Sequence, residues 1–218
     1  MSGDAAPVKR VRVKIDGIRT PADVETAAAA GADAIGMIFA EARRQVTFDQ
    51  AREIVAAVPP FVSTVGVFVN APVDEVERLA SDLRLSAVQL HGDESPEECV
   101  TLQRRGIQVI KALPGGDRIA REMLARYPMA AALLLDTRVE GLAGGTGRTF
   151  PWQAAAGLSS EFRIIVAGGL TPENVTQALE VLDPYGVDVT SGVETDGRKD
   201  PNKVRAFVAR VREWERRA

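Results

Sequence analysis

The sequence has few of the residues that build covalent or metal-held frameworks. It contains one cysteine, Cys99, and one histidine, His91. A single thiol excludes a disulfide scaffold and a cysteine-rich zinc site, and a single imidazole excludes a His-rich one. No metal and no cofactor is expected. Long apolar runs are also missing. Nothing approaches the roughly 20 residues of a membrane-spanning helix, and Met1 to Lys9 lacks the apolar centre of a secretory leader. Neither sign of charge dominates: 27 basic and 30 acidic side chains leave a net charge of -3. A nucleic-acid binder would show a clustered basic excess, so neither nucleic acid nor membrane is an expected partner. These absences fit a cytoplasmic setting.

What is present is a repeating alternation. Short apolar, β-rich runs recur at Val11–Ile15, Ala34–Phe39, Val62–Val69, Ala87–His91, Val109–Ala112, Ala131–Asp136, Arg163–Ala167 and Val187–Thr190. Near-continuous apolar runs suit parallel strands whose outer face is covered, and the spacing is that of a strand, a helix and two loops. Helical patterns fill the gaps. Thr20 followed by Pro21, Ser95 followed by Pro96, and Thr171 followed by Pro172 each place an N-cap before a first-turn proline. Phe48–Val58, Val73–Leu83, Ile119–Tyr127 and Asn202–Glu215 read as further helices, with a short one after Pro151. Eight strands alternating with helices allow a closed barrel or an open doubly wound sheet. No Gly-x-Gly-x-x-Gly follows the first strand, which weakens the dinucleotide-binding version of the open sheet. The expected fold is therefore α/β, a parallel eight-stranded (β/α)8 or TIM barrel. It occupies residues 11–218 as one domain, behind a polar lead-in over residues 1–10.

In such a barrel the chemistry sits at the carboxyl ends of the strands. Strand 1 ends Val13-Lys14-Ile15-Asp16-Gly17. A period of two puts Lys14 and Asp16 on one face and the apolar pair on the other. The charged pair then points inward, where charge is expensive unless it is paired. Asp16-Gly17 also reads as a plain turn dipeptide. Strand 4 ends Gln89-Leu90-His91-Gly92, with Gln89 and His91 sharing a face, and His91 admits both a structural and a functional reading. Strand 6 ends in an apolar run followed by Asp136. A carboxyl at the rim of a dry interior can be raised toward neutrality and serve as a proton donor; a capping role is the alternative.

Glycines gather in three consecutive loops: Gly141 to Gly147 after strand 6, Gly168-Gly169 after strand 7, and Ser191-Gly192 after strand 8. Glycine-bearing loops after strands 7 and 8 are where many barrels hold phosphate on backbone amides. The candidate phosphate set is Gly145, Gly147, Gly168, Gly169, Ser191 and Gly192. From residues alone the chain reads as a barrel enzyme for a phosphorylated metabolite, with Asp16 and Asp136 as proton-transfer groups.

An ordered set of motifs then resembles the phosphoribosylanthranilate isomerase family. It runs through Val13-Lys14-Ile15-x-Gly17, Gly66-Val67-Phe68-Val69-Asn70, Gln89-Leu90-His91-Gly92, Leu134-Leu135-Asp136-Thr137, Gly145 to Trp152, Gly168 to Val175 and Val187 to Glu194. The resemblance covers nearly all of the chain from Val11. It implies an Amadori rearrangement of a phosphorylated aminosugar, with Asp136 as the acid that protonates the furanose ring oxygen. The family's base is a cysteine at the position of Asp16. A carboxylate can take that role, and the sister barrel of histidine biosynthesis uses two aspartates. A thiol near pKa 8.5 must be activated, whereas a carboxyl near 3.9 is already ionised but a weaker base unless burial raises it. Arg44 falls where the family contacts the anthranilate carboxylate, although the loop Ala40 to Arg44 lacks the family's usual serine and proline. The substrate-binding set is Arg44, Gln89, His91 and Asp188, and the assembly is a monomer or a homodimer. Two other readings stay open: an isomerase that also serves histidine synthesis, and an impaired barrel that only binds phosphosugars.

Overall fold

A computed structural model describes residues 10–117, 119–137 and 149–217. Among them, eight parallel strands close into a barrel in chain order. They are β1 (Arg12–Ile15), β2 (Ala34–Ile38), β3 (Ser63–Phe68), β4 (Ala87–Leu90), β5 (Val109–Gly115), β6 (Ala132–Thr137), β7 (Ile164–Val166) and β8 (Gly186–Val189). Seven α-helices lie between and after them: α1 (Pro21–Ala30), α2 (Phe48–Ala56), α3 (Val73–Asp82), α4 (Pro96–Arg104), α5 (Arg121–Ala125), α6 (Val175–Leu182) and α7 (Pro201–Glu215). Thr20, Thr47 and Ser95 close reciprocal capping boxes with Asp23, Gln50 and Glu98. Each box satisfies amides that a helix start otherwise leaves unpaired.

Alternation along the strands sorts the side chains. Val13, Ile15, Leu133, Leu135, Val187 and Val189 are buried in the layer between barrel and helices. The other face of the same strands points inward. On β5 to β7 that interior is apolar, made of Ala112, Ala132, Leu134, Ile165 and Ala167. On β1, β4 and β8 it is polar, with Lys14, Asp16, Gln89 and Asp188 all buried. Lys14 touches Gln89 although β1 pairs only with β2 and β8. That contact crosses the barrel, so the interior assignment of Lys14 follows from it.

The start of β1 is held from outside. The Val11 amide donates to Glu215 Oε1 at 2.7 Å. Arg212 donates to the Val11 carbonyl, the Gly31 carbonyl and Asp33. The last helix therefore ties the start of β1 to the turn between α1 and β2.

Two local expectations change, and one further element is present. The helix expected from Pro172 begins at Val175, because the Asn174 side chain accepts from the Thr171 amide and donates to the Gly169 carbonyl. This holds residues 171–174 as a turn tied to the glycine loop. The short helix after Pro151 is two 3-10 turns, Trp152–Ala155 and Leu158–Ser160. A two-stranded hairpin, β9 (Glu194–Thr195) and β10 (Arg198–Lys199), follows β8. Its turn holds Asp196 and Gly197 at positive φ, as a tight Asp-Gly hairpin demands. Gly145 and Gly147 lie outside the described residues.

Leu134 is fully buried within the apolar half of the interior. Leu134→Ala is expected to lower unfolding free energy by roughly 3 kcal/mol, read as a lower urea midpoint with the slope unchanged. Equal midpoints for the two proteins would overturn tight packing at this layer.

Candidate active site

Lys14 organises the polar half of the interior. Its ammonium donates to Asp16 Oδ1 at 2.8 Å, Gln89 Oε1 at 2.9 Å and Asp188 Oδ1 at 3.0 Å. A lysine has three donors and no acceptor, so all three are used. Asp16 sits against Gly36, where an added Cβ would fall 1.8 Å from Asp16 Oδ1. Only glycine at that position on β2 leaves room for the carboxylate. Gly17 turns the chain just beyond, with φ +70, so the turn reading of Asp16-Gly17 and its place in the site coexist. An added Cβ on Gly17 would meet Arg44 Cδ at 2.7 Å, so glycine there admits the arginine.

Two buried carboxylates share this one ammonium, and their surroundings push them apart. Burial drives the Asp16 carboxyl up, but the adjacent Lys14, with help from Lys199, holds it below the ordinary carboxylate range. Burial also drives Asp188 up; Lys14 opposes this, while repulsion from Asp16 and Asp136 adds to it, and it reaches about 6. The burial expected to strengthen Asp16 as a base is therefore outweighed. Pairs of titratable groups separated in this way commonly divide acid and base tasks.

At the opposite rim, Asp136 ends β6 and His91 follows β4. His91 Nε2 lies 3.1 Å from Asp136 Oδ2, and Gln89 Nε2 lies 2.7 Å from His91 Nδ1. Gln89 is fully buried, so it reaches the mouth through His91. A small pocket at the ends of β5 and β6 is lined by His91, Ala112, Leu113, Pro114 and Asp136. An added Cβ on Gly168 would lie 2.5 Å from Asp136 Oδ1, so the first loop glycine packs on the acid. An added Cβ on Gly192 would lie 1.8 Å from the Leu170 carbonyl, so the loops after β7 and β8 touch. Ser191 opens a 3-10 turn, Ser191–Val193, at this junction.

Arg44 lies on the third side. Nε and one terminal nitrogen grip Glu194 at 2.8 and 2.7 Å, and Lys199 donates to the same carboxylate at 2.9 Å. Burial would raise Glu194, but Arg44 and Lys199 outweigh it and lower the carboxyl to about 2. Glu194 and Thr190, whose carbonyl accepts from Lys199, lie in the strand-8 motif, but the sequence assigns no role to them or to Lys199. The legible signal was Asp196-Gly197, which folds Lys199 back beside Glu194. Cys99 lies apart on α4, buried, its thiol pushed up by burial to about 11.

Residues 13–210 match the family model described as N-(5'-phosphoribosyl)anthranilate (PRA) isomerase. The chain belongs to that family. A PRA isomerase of Desulforamulus reducens is 48% identical over 203 residues, covering 93% of this chain and 96% of the relative. One from Pseudomonas aeruginosa is 48% identical over 209 residues, covering 94% and 97%. The crystal structure of PRA isomerase from Thermotoga maritima superposes with a TM-score of 0.86 at 38% identity, covering 94% of this chain and 100% of that one. A PRA isomerase structure in complex with reduced 1-(o-carboxyphenylamino)-1-deoxyribulose 5-phosphate gives a TM-score of 0.83 at 37% identity, covering 94% and 100%. Another Thermotoga maritima structure, of monomers generated from a dimeric PRA isomerase, also scores 0.83 at 35% identity, covering 94% and 100%.

The Glu194 carboxylate is expected to contribute to stability. Its folded pKa is depressed, so the stabilisation is present above the ordinary value of 4.5 and is lost as pH falls toward about 2. Glu194→Gln is expected to lower stability at pH 7 by roughly 3 kcal/mol, the scale of breaking a buried ion pair. It is also expected to flatten the pH dependence of unfolding between 4.5 and 2. An unchanged acid slope in urea titrations would remove Glu194 from that role.

Proposed function

We infer that this chain catalyses the Amadori rearrangement of N-(5'-phosphoribosyl)anthranilate to 1-(2-carboxyphenylamino)-1-deoxyribulose 5-phosphate. The observation that carries this is the convergence of two differently housed carboxyl groups, Asp16 from β1 and Asp136 from β6, on one barrel interior. In the proposed sequence Asp136 gives a proton to the furanose ring oxygen, the C1–O bond breaks, and C1 and the amine form a Schiff base. Asp16 then removes the C2 proton, and the electron pair moves to give an enolamine. A proton returns to C1 as the C2 hydroxyl becomes a ketone.

Asp16 is suited to this because Lys14 keeps it ionised at neutral pH without a separate activation step. Its weakness as a base is the counterpart. Arg44, fixed in plane by Glu194, is proposed to meet the anthranilate carboxylate, with Asp188 and His91 facing the sugar and amine. Gly168, Gly169, Ser191 and Gly192, with Gly145 and Gly147, are proposed to take the phosphate on backbone amides. A monomeric or homodimeric assembly and a cytoplasmic location belong to the same proposal.

Asp136→Asn is expected to reduce kcat roughly 100- to 10,000-fold, the usual loss of a general acid, with the melting temperature little changed. The assay is disappearance of phosphoribosylanthranilate fluorescence. A variant within a few-fold of the parent would remove Asp136 from the mechanism. A parent that bound the reduced product but never turned over substrate would leave only a binding barrel.

The larger substrate of histidine synthesis carries a phosphate at each end and needs a second anion site across the mouth. Here Glu94 fills that side: its carboxylate accepts from the amides of Asn70 and Gly92, and it is itself held by buried Lys111. Backbone amides that would greet a phosphate already hold a carboxylate. The ratio of kcat/KM for anthranilate over the bisphosphorylated substrate is expected to exceed a hundredfold, about 2.7 kcal/mol. Comparable turnover of both would establish the dual-substrate reading instead.

A further inference from the structure

Buried polar chains have a direction, because each link must donate at one end and accept at the other. Lys14 is donor only, so the Gln89 atom 2.9 Å from it is the carbonyl oxygen Oε1. The other end of that amide is then the NH2 group, 2.7 Å from His91 Nδ1. An NH2 group donates, so Nδ1 presents a lone pair and the proton of the neutral ring sits on Nε2. Nε2 lies 3.1 Å from Asp136 Oδ2. The orientation is thus transmitted from β1, through β4, to the end of β6, across a route on which Lys14 and Gln89 are both buried.

We infer that Gln89 and Lys14 are positioning residues: they lock His91 as the Nε2–H tautomer, so that it donates to Asp136 Oδ2 and leaves Oδ1 as the oxygen that carries the transferable proton. Oδ1 is the oxygen against Gly168, so the proton departs on the side of the loop after β7. Once the proton has left, the Nε2–H bond to Oδ2 supports the carboxylate that forms. The same imidazole with its proton on Nδ1 would turn a lone pair toward that carboxylate and destabilise it. A histidine with two competing nitrogens needs such an outer partner to choose between them. The inference rests on the role proposed above for Asp136, but the tautomer itself does not depend on turnover.

The test uses the fact that His91 is the sole histidine, so a two-bond 1H–15N correlation on 15N-histidine-labelled protein shows one ring. In its neutral form the parent is expected to show a protonated Nε2 and an unprotonated, strongly downfield Nδ1. Gln89→Glu replaces the donor by an acceptor of the same shape and is expected to move the proton to Nδ1. It is expected to reduce kcat by about ten- to a hundredfold while KM stays within about threefold. If that variant does not fold, Gln89→Leu, which offers Nδ1 no donor, is expected to show the Nδ1–H form as a new population. A parent ring protonated on Nδ1 would overturn the inference. So would a folded variant that keeps the parent tautomer, or one whose loss appears wholly in KM, as for direct substrate contact. A parent with the Nε2–H pattern but no isomerase turnover would sink the functional reading and leave the tautomer lock standing.

Discussion

The Lys14 ammonium is the constraint around which this interior is arranged. A bare charge in the middle of a barrel is untenable, and two carboxylates 2.8 and 3.0 Å away make it tolerable. One ammonium need not serve two buried carboxylates equally. The closer one, which also receives the Thr190 hydroxyl at 3.4 Å and the field of Lys199, keeps its charge. The other is left to rise toward neutrality. A single buried cation thus produces two carboxyl groups of different character from the same residue type. Asp16 is compatible with the barrel because Gly36 leaves space for the carboxylate and Lys14 supplies a counter-charge.

The division of the interior into a polar and an apolar half follows from this. The network of β1, β4 and β8 needs rigid walls to keep its hydrogen-bond lengths, and the small residues and Leu134 of β5 to β7 provide them. Asp136 stands where the halves meet, above Leu134 and Ala132 on the same face of β6. Its partners reach it from opposite directions: His91 from the polar half, and Gly168 from the loop that leads to α6. The acid therefore sits at a boundary between an ordered hydrogen-bond chain and a glycine-bearing loop.

Much of this was legible in the sequence, for identifiable reasons. Near-continuous apolar runs of the right spacing mark parallel strands, and period two placed Lys14 with Asp16 and Gln89 with His91. What remained hidden depends on contacts between distant segments. No local pattern says that Lys14 reaches Gln89 across the barrel, or that Glu94 folds back onto Asn70 and Gly92. The start of α6 was misplaced because Thr171-Pro172 carries a good capping signature, yet Asn174 commits its side chain to the preceding loop. Local propensity lost there to a tertiary hydrogen bond. The Asp196-Gly197 hairpin is the reverse case, a strong local signal that was available and whose consequence for Lys199 lay nearby.

The seam between β1 and β8 bears on how the molecule is made. The bond from Val11 to Glu215 spans 204 positions, and the pairing that completes the ring joins the first strand to the eighth. A ribosome releases the chain from its amino end, so β1 emerges long before its second neighbour exists. Until β8 and α7 follow, one edge of β1 stays open, along with the inward ammonium that Asp188 helps to neutralise. Contacts of such sequence separation are entropically late to form. Final closure and full charge compensation of the interior therefore depend on the same late element, β8, and a growing chain holds an incomplete site until that strand has formed.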